Sequence, residues 1–219
     1  MKINVLGSGS DGNCIVVIDS KGNQLMLDCG LRYESILPKI DLLNLNCICI
    51  SHYHGDHIKG LDGFKKFYIP TFEPNNIQNG KLIDTPNWKI LPMFVVHNTE
   101  CYSYLIYSKT DKKKIFYLTD STTMPKINSA DIAIIETNWQ EDILEYRATK
   151  NIIEHKGYLN HLSDLQVKDY LENANWKPKV LVLSHLSNSG LVNKDNLLKT
   201  FKNKADKVLL AIPNTEIEC

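Results

Sequence analysis

The sequence predicts an α/β protein in which a sheet-rich core is covered by helices. Three observations carry that expectation. Short apolar runs of β type dominate the first half of the chain, and strands alternate with helices in the second. Four apolar runs also close directly on a His or Asp, as the strand ends along one sheet edge would. The 219 residues fit one domain, 1–219; 43% hydrophobic residues supply a core and 23% charged residues a solvated surface.

Residues 2–6 and 14–19 read as strands on either side of the glycine-rich Gly7-Ser8-Gly9-Ser10-Asp11-Gly12-Asn13. Ser20-Lys21-Gly22-Asn23 turns the chain into a third strand, Gln24 to Leu27. A short helix is expected over 32–38, stopped at Pro38. The apolar strand 46–50 ends at a histidine cluster, and further strands are expected at 67–70, 88–96, 102–107 and 114–118. Ser108-Lys109-Thr110-Asp111-Lys112-Lys113 joins the last two as a hairpin-type turn. Strand 131–135 leads to a helical stretch around 139–155, and Ser163 caps a helix of about ten residues from Asp164. Strand 179–184, a helix over 194–203 and a last strand, 206–212, complete the chain.

Twenty-five Lys and Arg balance 25 Asp and Glu, so no global basic field draws in a polyanion and such a partner must be held locally. No run is long enough to span a bilayer, and the N-terminal apolar stretch is too short for a signal peptide. Six cysteines without a CxxC pair fit a reduced setting. The expectation is a cytoplasmic protein without a membrane partner. Its oligomeric state is left open, a homodimer being one option.

Chemistry concentrates in Ser51-His52-Tyr53-His54-Gly55-Asp56-His57. His52, His54, Asp56 and His57 are four donors within six positions, immediately after an apolar strand. Alternate residues of an extended segment face the same way, so His52 and His54 can grip one ion. Gly55 is expected to let the loop curl and send Asp56 and His57 toward a second. Imidazole with carboxylate suits zinc, then manganese or iron. His97, Asp120 and His185 each end an apolar run and are the expected remaining ligands. Gly7 to Asn13 lacks the GxxxxGK[ST] pattern of a P-loop and reads as a tight turn near the site. Lys112-Lys113-Lys114 reads as a solvated hairpin tip; Lys59, Lys65 and Lys66 are the lysines better placed in sequence to meet phosphate. His155 is expected on the surface.

In these residues the chain resembles the metallo-β-lactamase fold superfamily. The resemblance runs from Leu6-Gly7-Ser8-Gly9-Ser10 through Leu27-Asp28-Cys29-Gly30 and the HxHxDH loop to His185. Gly7 to Cys14, Glu136-Thr137-Asn138, Asn160-His161-Leu162-Ser163 and Ser184-His185-Leu186-Ser187 look most like its YycJ/WalJ-type branch of phosphodiester-cleaving hydrolases. Two positions depart from the branch: Asn160 and Asp164 flank His161-Leu162-Ser163 where Gly and Asn are usual, and Trp139 stands where a His usually follows. The resemblance implies an αββα sandwich with a binuclear metal site at one edge of the β core. It assigns His52, His54 and His97 to one ion, Asp56, His57 and His185 to the other, and Asp120 as the bridge. Asp28 would steady the histidine loop from outside the ligand set.

The function expected is hydrolysis of a phosphodiester, by a nuclease (DNA on the resemblance) or a small- or cyclic-nucleotide phosphodiesterase. A metal-bridging hydroxide would attack, with Asp56 and Asp120 in the metal centre and His161 protonating the leaving group. Two divalent ions, zinc before manganese, and a nucleic acid or nucleotide substrate follow from that reading. The alternatives are hydrolysis of a thioester, lactone or β-lactam carbonyl on the same site, and a non-catalytic metal-binding protein.

Overall fold

The computed structural model describes residues 1–149 and 157–219. Two sheets carry the architecture. The first contains β1 (Lys2–Gly7), β2 (Cys14–Ile18), β3 (Gln24–Leu27), β4 (Leu45–Cys49), β5 (Thr71–Phe72) and β13 (Thr215–Glu218), in the order β13-β1-β2-β3-β4-β5. The second contains β6 (Ile83–Asp84), β7 (Trp88–Val95), β8 (Cys101–Ser108), β9 (Lys114–Leu118), β10 (Ile132–Glu136), β11 (Val180–Ser184) and β12 (Lys207–Leu210), in the order β12-β11-β10-β9-β8-β7-β6.

Side-chain alternation explains why these strands stack as two sheets. Val5, Val17, Leu27 and Cys49 of the first sheet share one buried cluster with Ile90, Tyr104, Ile134 and Val182 of the second. The opposite faces are covered by helices. Ala133, Ile135, Leu181 and Leu183 bury against α5 (Asp164–Asn173) and α6 (Lys194–Phe201) through Val167, Leu171, Leu197 and Phe201. On the other side, Val16, Met26 and Ile48 pack with α1 (Tyr33–Ile36) and α3 (Leu61–Phe64) through Ile36, Leu61 and Phe64. The layers run helix, sheet, sheet, helix, the αββα arrangement. Strands β10 and β11 are buried along their whole length, as strands covered on both faces must be.

Register places the strand ends. β9, β10 and β11 are parallel, with Leu118 beside Ile135 and Glu136 beside Ser184. β3 and β4 are parallel too, with Leu27 beside Cys49. The residues that follow these strands therefore emerge along one edge of the sandwich, where loops can gather donors.

The structure corrects several sequence-based boundaries. The strand expected at 67–70 is absent: Lys65–Phe67 is a 3-10 turn, Tyr68 is left-handed (φ 54°), and only Thr71–Phe72 pairs with β4. Pro38 sits inside the 3-10 turn Leu37–Lys39, whose first turn tolerates its missing N–H, rather than ending the helix before it. The helical stretch forms α4 (Glu141–Thr149); its expected continuation and His155 lie outside the described residues. Sequence reading did not find β13, a short strand with alternate exposed residues that borders β1. The Ser163 cap is present as a full capping box.

Candidate metal centre

Ser51 to His57 follow β4, and the local chain explains how they diverge. His52 and His54 lie on extended backbone and converge, with His52 Nε2 2.9 Å from His54 Nδ1. His54 then caps α2 (Gly55–Ile58), and that helical turn swings Asp56 and His57 to another direction. Gly55 has ordinary helical geometry and open space where a Cβ would stand, so the turn, not glycine's freedom, redirects the chain.

All seven expected ligands meet at one place. His52, His54, His97 and Asp120 form one set of convergent donors; Asp56, His57, His185 and Asp120 form another. The Asp120 carboxylate is divided between them. Its Oδ2 lies 3.8 Å from His52 Nε2 and 3.9 Å from His97 Nε2. Its Oδ1 lies 3.4 Å from His57 Nε2 and 3.3 Å from His185 Nε2. Donors held at about 2.0–2.2 Å from a tetrahedral ion stand roughly 3.3 Å apart, which the second set matches around Asp120 at 3.3–3.4 Å, whereas the first set spreads from 2.9 to 3.9 Å. His185 Nε2 is fully buried and has no hydrogen-bond partner among the described residues. A buried polar atom left so is costly, and a cation at this position would satisfy it. The residues present fit a divalent metal ion.

Partners outside the set fix which imidazole nitrogen faces inward. Asp28, fully buried, accepts from His57 Nδ1 at 2.8 Å, from the Ser51 backbone N–H at 2.7 Å and from the Tyr117 hydroxyl at 2.6 Å. The Ser51 hydroxyl donates to Asp28 and lies 3.0 Å from His52 Nδ1. His97 Nδ1 donates to the Asn160 carbonyl at 3.1 Å. Each arrangement leaves Nε2 toward the centre.

Asp28, Asp120 and His185 all adopt left-handed backbone, with φ of 56°, 45° and 49°. Each such residue costs of order 1–3 kcal/mol, and strain of this kind gathers at sites. It allows the chain to turn sharply off a strand end and still aim its side chain along the edge.

Charge in the cluster is strongly coupled. Burial, reinforced by the neighbouring His57, pushes the His52 pKa down to about 3, and burial also lowers His97. Burial opposes ionisation of Asp120, yet His185 and His57 hold it well below the usual carboxylate range. Asp56 is likewise depressed, against burial, by His185 and His57. Those two histidines are raised against burial, chiefly by Asp120. The ionised carboxylates are in the form a cation would need, while His57 and His185, raised by those carboxylates, would give up a proton on binding one.

His161 stands beside the ligands: its ring stacks on His185 at 5.0 Å between centroids and lies 5.6 Å from that of His97. Its Nδ1 pairs with Glu136 Oε2 at 2.9 Å. Glu136, fully buried at the end of β10, also accepts the Ser121 and Leu162 backbone N–H groups. Sequence reasoning did not assign Glu136 a role, although its signal was there: it ends an apolar strand, the criterion that picked out His97, Asp120 and His185. Trp139, at the position where the branch usually has His, donates its indole N–H to the His161 carbonyl at 3.2 Å. Two of the three lysines expected near phosphate, Lys65 and Lys66, are engaged elsewhere. Lys65 pairs with Asp62 at 2.6 Å, and Lys66 lies over the Tyr33 and Phe67 rings.

Comparison with known proteins adds to this geometry. Residues 1–85 match the family described as Anti-Pycsar protein Apyc1. Over 223 aligned positions the chain is 25% identical to the exodeoxyribonuclease WalJ of Streptococcus pneumoniae, covering 85% of this chain and 81% of WalJ. Ribonuclease Z of Clostridium tetani is 39% identical over 49 residues, 22% of this chain; that of Sulfolobus acidocaldarius is 28% identical over 152 residues, 55% of it. The alignments span only 16% and 49% of those two enzymes. In structure, the chain is similar over its full length to the metallo-β-lactamase fold protein YhfI of Bacillus subtilis (TM-score 0.76, 18% identity, 99% of that chain). It is similar also to the short form of human tRNase Z (TM-score 0.69, 17% identity, 99% of that chain). No described helix is long and apolar enough to cross a membrane.

Proposed function

We propose that this chain, which has the metallo-β-lactamase fold, is a metal-dependent hydrolase of phosphodiester bonds in a nucleotide substrate. The observation that carries the reading is the Asp120 carboxylate, with one oxygen toward each of two histidine-bearing donor sets. His52, His54 and His97 would hold one divalent ion, Asp56, His57 and His185 the other, and Asp120 both. Zinc is the ion best matched to these nitrogen and oxygen donors, with manganese next. Such a pair, when bound, polarises the phosphoryl oxygens and lowers the pKa of water to about 7.

The chain's own residues supply the rest. Asp28, Ser51 and the Asn160 carbonyl orient the imidazoles. Glu136 accepts from His161 Nδ1–H, so Nε2 is the ring nitrogen left free, and it offers a proton to a departing alkoxide oxygen when His161 is the imidazolium that the Glu136 carboxylate balances. That pairing favours a phosphodiester over a thioester, lactone or β-lactam, whose cleavage does not call for a separate oriented histidine. Nucleic-acid cleavage is named in the ribonuclease Z and exodeoxyribonuclease relatives, which supports a nucleic acid or a fragment of one as substrate. Zero net charge, with Lys65 and Lys66 committed elsewhere, supports a short one.

The test sets metal-loaded protein against bis(p-nitrophenyl) phosphate, a thioester and nitrocefin in parallel. Diester turnover that chelator and Asp56→Ala both abolish is the expected result. Thioester or nitrocefin turnover without diester cleavage would overturn the assignment. A panel of single-stranded DNA, RNA and cyclic nucleotides then ranks substrates.

A further inference from the structure

We propose that the glycine-rich turn Gly7–Asn13 is a clamp that builds the second of the two cation positions, with Asn13 as its positioning residue. The proposal rests on the two-ion reading above and says which part of the chain makes one ion's site separately from the other's.

Asn13 is buried and tied down on three sides. Its backbone N–H donates to the Asp56 carbonyl at 2.7 Å, its own carbonyl accepts from Gly30 at 2.8 Å, and its side-chain Oδ1 accepts from the Gly9 N–H at 2.8 Å. The last bond fixes the amide's orientation: with Oδ1 committed to Gly9, Nδ2 must face the donor set. It donates toward Asp56 Oδ2 at 3.2 Å and lies 3.0 Å from His57 Nε2, whose one lone pair a bound cation would take in its place. The Asp56 side chain is one-quarter exposed, and Oδ2 is the same oxygen that lies 3.4 Å from His57 Nε2 and 3.8 Å from His185 Nε2. A donor locked onto that oxygen holds it in the set. The turn also reaches the third member, because the Ser8 hydroxyl accepts the His185 backbone N–H at 2.9 Å, at a residue with left-handed backbone.

The contacts are selective. Asp56, His57 and His185 are the ligands that the second set does not share with the first, and the turn hydrogen-bonds to all three. Among the described residues, no hydrogen bond joins it to His52, His54 or His97. The glycines allow the close approach that this requires. A Cβ on Gly30 would stand 1.7 Å from the Asp56 carbonyl oxygen, and Gly12 has φ 148° with its Cβ position 2.6 Å from the Gly30 carbonyl. A phosphate cradle is the competing reading of so many glycines. Against it, the N–H groups of Gly9, Gly12 and Asn13 already donate to the Asn13 side chain, Gly9 and Asp56.

The experiment titrates metal-free wild type, Asn13→Ala and Ser8→Ala with zinc against a chromophoric chelator, and repeats the titration with cobalt to follow the ligand-field bands of each ion. The melting temperature of each metal-free variant is recorded. Wild type should take two ions. Asn13→Ala should bind the first as wild type does and the second about 10- to 100-fold more weakly, with loss of the second ion's band. Ser8→Ala should weaken the second ion alone, by less. A merely structural role would weaken both ions together. If Asn13→Ala binds both ions as wild type does, or loses both equally, the clamp is overturned while the two-ion reading stands. If Asn13→Ala fails to fold, Ser8→Ala decides by the same criterion. Fewer than two ions on wild type would instead overturn the reading beneath it.

Discussion

Glu136 has no exposure to solvent, and its two oxygens do different work. Oε1 accepts the Ser121 N–H at 2.6 Å and Oε2 meets His161 Nδ1 at 2.9 Å. The first bond anchors the residue after Asp120; the second sets which nitrogen of His161 carries the exchangeable proton. Replacing Glu136 with Gln keeps an oxygen for Ser121 but turns an NH2 group toward Nδ1, which then must accept. His161 would then sit neutral with its proton on Nε2, without the carboxylate that balances the imidazolium acid. His161→Ala should keep both ions and lower kcat about 10²- to 10⁴-fold, and Glu136→Gln should fall in the same range. Combining the two should cost little more than either alone, since paired groups act as a unit. The check is metal content by elemental analysis beside steady-state diester hydrolysis. Unchanged turnover in His161→Ala removes it from the chemistry, and loss of metal makes it a ligand.

At the scale of elements, the sequence carried the site further than the fold around it. The seven donors were legible because each follows an apolar run; parallel register brings the ends of β9 and β11 to one edge, and β7 runs the same way as β9 because both lie antiparallel to β8. The Ser163 helix was legible for a local reason as well: its capping box is written within four residues. What was not legible depends on distant partners. β13 exists because β1 offers it an edge 210 residues away, and no local pattern of Thr215–Glu218 announces that. Tyr117 likewise reads as one more core aromatic, yet its hydroxyl crosses from the second sheet to Asp28 on the first. The turn after β2 shows the local case at its simplest. Asp19 accepts the Lys21 and Asn23 backbone N–H groups and the Asn23 side-chain amide at 2.8–3.0 Å. Burial opposes its charge, but these bonds and one from Thr110 outweigh it and hold the carboxyl below its ordinary value. A depressed folded-state pKa means stability that is present above about pH 3.9 and lost as pH falls through the folded value. Asp19→Ala should cost roughly 1–3 kcal/mol at pH 7. The gap between wild type and variant in urea denaturation should shrink as the acid range is entered. A gap that stays constant from pH 7 to pH 2.5 would show that the charge contributes nothing.

For the whole molecule, the candidate metal centre is a junction between the two sheets. His52, His54, Asp56 and His57 follow β4 of the first sheet, whereas His97, Asp120 and His185 follow β7, β9 and β11 of the second. Each donor set therefore draws on both. An ion in either set would cross-link sheets that otherwise meet through apolar packing at their inner faces, and would bind the folded state in preference to the unfolded one. Mass action then makes stability depend on free metal, by about 4 kcal/mol per ion at a thousandfold excess over Kd. Chelated protein should remain folded, because none of the ligands, buried though His52, His57, Asp120 and His185 are, belongs to the three apolar clusters, but it should melt lower than the zinc-loaded form. The shift should grow with the logarithm of zinc concentration. Asp120 is the one ligand common to both sets, so Asp120→Asn should remove most of the zinc-dependent increment, while His54→Ala should remove about half. Calorimetry of the three proteins with and without zinc separates these outcomes. An Asp120→Asn protein that keeps the full wild-type increment would mean that the two sets do not share a bridge, and the chemistry assigned to the pair would lose its basis.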